Sequence, residues 1–278
     1  MTRFYNSRIG FMQGRLSEIV DGRIQAFPWD SWQTEFILAK EIGIQLIEWT
    51  IDSKEVESNP ILFSDEHNSI IKLANANNIS ISSVTDDFFM ENPPWNSDIE
   101  EVDRIHRNIL AGMEIVGSRI LVVPLVDNST ILDENIEAIF FEFIAKLEGA
   151  LRKHSIKIAI ESDFEPKKLS KFISNFDPEI MGINYDIGNS ASLGFDPIDE
   201  LNLYGDRVIN VHVKDRLLGG TTVPLGSGNA NLPKTIQLLE KVGYRGNYVL
   251  QTARSQHGKH TEAIVKYANM VEEWLHEC

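Results

Sequence analysis

Short runs of apolar and β-branched residues recur along the chain, separated by amphipathic stretches. The runs are Arg8 to Met12, Leu46 to Trp49, Ile79 to Val84, Arg119 to Val123, Lys157 to Glu161, Met181 to Asp186, Val208 to Val213 and Asn247 to Gln251. Near-continuous apolar character predicts strands covered on both faces, as in a parallel sheet, and parallel strands require crossover connections. The intervening pattern supplies them, predicting helices over 31–42, 65–75, 99–116, 134–154, 166–174, 198–204, 233–242 and 262–276. Gly43, Gly117 and Gly243 act as stops. Eight strand–helix units in 278 residues fit a closed barrel better than an open doubly wound sheet. The expected fold is therefore α/β, a single (β/α)8 barrel of eight parallel strands forming one domain over 1–278.

A dinucleotide-binding fold would show G-x-G-x-x-G directly after its first strand, and nothing of the kind follows Ile9. Gly226-Ser227-Gly228 comes late, beside Pro224 and without a third glycine in register, which makes it a weak nucleotide signal. The formal charge of −15 argues against a nucleic-acid partner, since such affinity comes from clustered Lys and Arg; solubility alone explains the acidity. Cys278 is the only cysteine, so an internal disulfide framework is excluded. No basic-then-apolar leader and no membrane-length apolar run is present, and a cytoplasmic location without a membrane partner is expected.

In such a barrel, chemistry sits at the carboxyl ends of the strands. Strands five to eight end in Glu161, Asp186, His212 and Gln251. Two carboxylates, an imidazole and an amide oxygen suit one divalent cation, Mn²⁺ first, with Mg²⁺, Co²⁺ or Zn²⁺ as alternatives. Each residue alone has a plainer explanation: either carboxylate could cap the following helix, and His212, between Val211 and Val213, could be a core histidine. All three at consecutive strand ends is a combination that composition does not deliver by chance. Gln13, Arg15, Glu48, Lys214 and His257 lie near other strand ends and are candidates to bind substrate. Asp86 and Asp87 follow the third strand.

The stretches Ile160-Glu161, Asn184-Tyr185-Asp186-Ile187-Gly188-Asn189, Val211-His212-Val213-Lys214-Asp215, Gly226-Ser227-Gly228-Asn229, and Gly243-Tyr244-Arg245-Gly246 leading to Leu250-Gln251 resemble the xylose isomerase-like superfamily. The resemblance covers nearly the whole chain in order. Nearest in pattern are the sugar and sugar-phosphate isomerases and epimerases, including D-tagatose 3-epimerase-like enzymes. In that family Glu, Asp, His and Glu hold a metal at the ends of strands five to eight, and the two glutamates move protons. The resemblance implies that Glu161, Asp186 and His212 are ligands and that Glu161 is also the base beside a sugar α-carbon. Gln251 departs from the pattern: its amide oxygen can still coordinate, but it has no titratable proton and cannot be a general base.

The implied activity is metal-dependent isomerisation or epimerisation of a small carbohydrate or sugar phosphate through an enediolate. Alternatives are a metal-dependent dehydratase or lyase of an inosose or keto sugar, and a non-catalytic sugar-binding barrel. Endonuclease IV shares the scaffold but needs further histidines that this chain does not show. Family members often form dimers or tetramers, which makes a homo-oligomer compatible with the resemblance.

Overall fold

The computed structural model describes residues 5–255 and 258–278. Eight strands, all paired in parallel, close into a barrel in chain order: β1 (Ile9–Met12), β2 (Leu46–Ile51), β3 (Ser80–Asp86), β4 (Ile120–Leu125), β5 (Lys157–Ser162), β6 (Met181–Asp186), β7 (Val208–Val213) and β8 (Tyr248–Leu250). Closure is made by β1 on β8, with Ile9 opposite Tyr248 and Phe11 opposite Leu250. The strands are short and buried almost throughout, which is why their apolar runs lack the alternation of a half-exposed sheet.

The long crossover helices are α1 (Trp32–Ile42), α2 (His67–Asn77), α4 (Ile99–Val116), α5 (Glu134–His154), α6 (Pro166–Ile173), α8 (Pro197–Tyr204), α9 (Leu232–Lys241) and α10 (His260–His276). Their ends follow local chemistry. Asp98 and Asp133 cap α4 and α5 by accepting backbone N–H groups, and Gly117 ends α4 in the left-handed region at φ 84°. Among the described residues no helix is long and apolar enough to cross a membrane.

Two short helices were not foreseen from the periodicity, α3 (Asp87–Glu91) and α7 (Ile187–Leu193). Both begin directly at the mouth of the barrel, capped by the last residue of the preceding strand: Asp86 accepts from Phe89 N and Asp186 from Asn189 N. A two-stranded ribbon, Asp215–Arg216 against Thr222–Val223, rises beyond β7. The register slips by one residue between β2 and β3 at Glu48, and between β6 and β7 at Asn184. Such irregularities re-aim side chains beside functional sites, and here the second sets Asn184 opposite Asn210 and Asp186 opposite His212.

Candidate metal centre

Side chains two apart on a strand share a face, so Asn184 and Asp186 on β6, and Asn210 and His212 on β7, project together. With Glu161 on β5 they form one buried polar network. Ligand-capable atoms of Glu161, Asp186 and His212 all lie within 4.8 Å of one another. His212 Nδ1 stands 3.1 Å from Glu161 Oε2 and 3.9 Å from Asp186 Oδ2. All four carboxylate oxygens are held by donors: Glu161 Oε2 accepts from Asn184 at 2.7 Å and Oε1 from Asn189 at 2.6 Å. Asp186 Oδ1 accepts from Asn189 N at 2.8 Å, and its Oδ2 accepts from Lys214 Nζ at 2.7 Å.

Glu48 lies behind the imidazole. Its Oε1 accepts from His212 Nε2 at 2.6 Å, while Ser83, Thr85 and Asn210 donate to the same carboxylate. A proton fixed on Nε2 leaves Nδ1 as the nitrogen that can ligate, the usual arrangement for a carboxylate-oriented metal histidine. Burial opposes an imidazolium at His212, but Glu48 and Glu161 outweigh it, and the polypeptide alone holds this pKa up at about 10. Burial also disfavours the Glu161 carboxylate, yet His212, Lys214 and Asn184 hold its pKa below the usual value and keep it ionised.

Gln251 follows β8, nine-tenths buried, and faces the same cavity as Glu161. Its Oε1 has no hydrogen-bond partner among the described residues. A buried amide oxygen left unpaired costs about 1–3 kcal/mol, so its acceptor capacity is available to a ligand. Two carboxylates, an imidazole nitrogen and an orphaned amide oxygen fit a divalent cation.

The cavity above this cluster is about 390 Å³. Arg15 and Lys214 line it. Gln13 is fully buried, accepting from Thr50 N at 3.1 Å, and Glu48 is fully buried beneath His212; neither is among the residues lining the cavity. His257 lies outside the described residues. Strand ends alone do not point to Asn210 and Arg216, and Asn184 and Asn189 stand out in the sequence only within a motif. Period-two alternation from Asp186 and His212 would have flagged Asn184 and Asn210.

The architecture and this cluster define a class: a (β/α)8 barrel that gathers a buried Glu/Asp/His triad, suited to a divalent metal, at the carboxyl ends of its strands. Within that class the chain belongs to the xylose isomerase-like TIM-barrel family, whose model matches residues 36–274. An uncharacterised protein of Methanocaldococcus jannaschii is 24% identical over 161 residues, covering 54% of this chain and 53% of that protein. The match thus spans about half the length of that relative. The IolI protein, solved with a bound zinc atom, superposes with TM-score 0.71 at 16% identity, over 95% of this chain and 97% of that one. The 3-keto-D-glucoside 4-epimerase of E. coli superposes with TM-score 0.68 at 16% identity, over 98% and 100% of the two chains. At such identities these likenesses establish the fold.

Proposed function

We propose that this protein is a metal-dependent isomerase or epimerase of a small carbohydrate, with Glu161, Asp186, His212 and Gln251 holding the cation and Glu161 acting as base. The observation that carries the reading is the convergence of three ligand groups within 4.8 Å below a cavity that also receives the orphaned Gln251 oxygen. A divalent cation bound there supplies Lewis acidity that polarises a carbonyl and acidifies the neighbouring C–H.

The polypeptide does the rest. Asn184 and Asn189 each donate to one Glu161 oxygen, fixing the carboxylate that removes the α-proton. Glu48 fixes the His212 ring. Gln251 cannot donate or take the second proton. One base serving both steps moves the proton between adjacent carbons on a single face, which favours isomerisation over inversion. The same one-base arrangement supports a second reading, dehydration of a keto sugar or inosose, and loss of water from the product separates the two.

Calorimetric titration with Mn²⁺, followed by exchange of sugar α-protons with solvent deuterium, tests the reading. Stoichiometric Mn²⁺ and exchange that disappears in Glu161→Gln are expected. A wild-type protein that binds no Mn²⁺, or a Glu161→Gln variant with full exchange, would overturn it.

A further inference from the structure

Whether the substrate carries a phosphate is a question of which donors the cavity has to spare. Four cations line it, Arg15, Arg23, Lys214 and Arg216, and each is already engaged. Arg216 gives its guanidinium to Gly220 O and Asn189 Oδ1. Lys214 donates to Asp186 at 2.7 Å and to Asn189 Oδ1 at 3.4 Å, so it keeps a protein acceptor where a cation takes Asp186 Oδ2, and Arg23 is on Glu91 at 2.8 Å. Arg15 donates to the carbonyls of Thr252 and Ile24 at 3.0 and 2.9 Å, and burial, then the charge of Arg254, disfavour its cation more than Asp87 supports it.

A second observation is independent of these side chains. The loop after the seventh strand is where barrels of this architecture commonly build a phosphate site from backbone N–H groups. Here that loop is Pro224 to Ala230, and its N–H groups converge as such a site requires. They converge on Asp215: Gly226 N and Gly228 N donate to Oδ2 at 2.9 Å each, and Ala230 N donates to Oδ1 at 3.1 Å. A Cβ on Gly228 would stand 2.2 Å from Asp215 Oδ1, so the glycine is needed for the carboxylate to sit there. The converging N–H groups are taken by the protein's own side chain, and none of Asp215, Gly226, Gly228 and Ala230 is among the residues lining the cavity.

Acceptors, by contrast, are in surplus. Asp86 and Asp87 are consecutive and turn opposite ways. Asp86 is held outward by His106 Nε2 at 2.7 Å and by Phe89 N, which leaves Asp87 to line the cavity. Asp87 is 6% exposed, and among the described residues its carboxyl has no hydrogen-bond partner. Burial, then the charges of Glu161 and Asp86, push its pKa up to about 7. Such a group costs free energy unless a ligand brings it donors.

We infer that the cavity takes an unphosphorylated polyhydroxy carbonyl compound, with Asp87 accepting from its hydroxyl groups, and that phosphate esters are turned away. The inference deepens the proposed function and rests on it only for the position of the reacting carbon.

The test is calorimetric titration of the Mn²⁺-loaded protein with D-fructose, D-tagatose and D-xylulose, each against its own monophosphate. At least one neutral member should bind about tenfold or more tightly than its phosphate, and Asp87→Asn should bring that ratio toward one. Equal or tighter binding of the phosphate in every pair, or binding of no member at all, overturns the inference. A wild-type preference that survives Asp87→Asn unchanged removes Asp87 as the selector, whether or not the variant is as stable. Failure to take up Mn²⁺ is a failure of the metal centre instead, and the same pairs titrated against metal-free protein still decide the phosphate question.

Discussion

The two sides of the barrel mouth are built differently. From β5 to β7 the polar groups hold one another: Glu161 is fixed by two asparagines, Asp186 by Lys214 and a backbone N–H, and His212 by Glu48. Around β8 and the loop after β1, several buried atoms go unpaired among the described residues, Gln13 Nε2, Gln25 Oε1, Gln251 Oε1 and Thr252 Oγ1 among them, whereas from β5 to β7 only Asn210 Oδ1 does. The first side is organised before any ligand arrives. The second has hydrogen-bonding capacity that only a ligand or water can use. On the proposed function, such a site would hold its cation mainly through the rigid side and adjust to its substrate on the other.

Removing a group from the rigid side should have the largest effect. His212→Ala is expected to weaken Mn²⁺ by at least about 100-fold, read by calorimetry; a smaller loss would mean that the imidazole is only a core group. Next comes pH. His212 must lose its Nδ1 proton to ligate, so Mn²⁺ affinity should climb about tenfold per pH unit from about pH 6 to about pH 8. The metal-free fold should respond in the opposite sense. A histidine whose pKa is raised from 6.5 to about 10 stabilises the native state fully below the unfolded value, and that contribution fades as pH rises through the folded one. Thermal melts with and without Mn²⁺ should therefore diverge as pH rises.

On the unpaired side, Gln251→Glu adds a third carboxylate. Mn²⁺ binding is expected to tighten about tenfold, while the metal-free protein loses about 1–3 kcal/mol from an added buried charge near Glu161 and Asp87; unchanged affinity would show that Gln251 does not reach the cation. The smallest effect is expected at Lys214. Its ammonium and a bound cation contend for Asp186 Oδ2, so Lys214→Met should tighten Mn²⁺ by about threefold. A weakening would mean that Lys214 supports the site instead.

How legible each part was in the sequence follows from how local its cause is. Helices α4 and α5 appear with the expected bounds because Asp98, Asp133 and Gly117 mark their ends within a few residues. The ends of β5 to β7 were readable because Glu161, Asp186 and His212 each interrupt an apolar run. Glu48 was noticed only as a strand-end acid. Its bond to His212 spans 164 residues, and the slip that aims it lies in the pairing of β2 with β3, which no single run encodes. α7 was missed because Gly188 argues against a helix, yet a Cβ there would meet the Lys214 side chain at 2.7 Å. The need for that glycine comes from the segment just beyond β7. The opposed aims of Asp86 and Asp87 depend likewise on a contact outside their own segment, with His106 on α4, 20 residues on.

The Asp215 carboxylate gives the loop after β7 a tethered guest. A side chain attached to the ribbon that carries its own receptor is present at an effective concentration on the order of millimolar or above. A free anion must exceed that local supply to displace it, so the loop is expected to stay closed to dissolved phosphate across ordinary changes in its concentration. Exclusion here is a matter of prior occupancy, set when the chain folds and insensitive to what the surrounding solution contains.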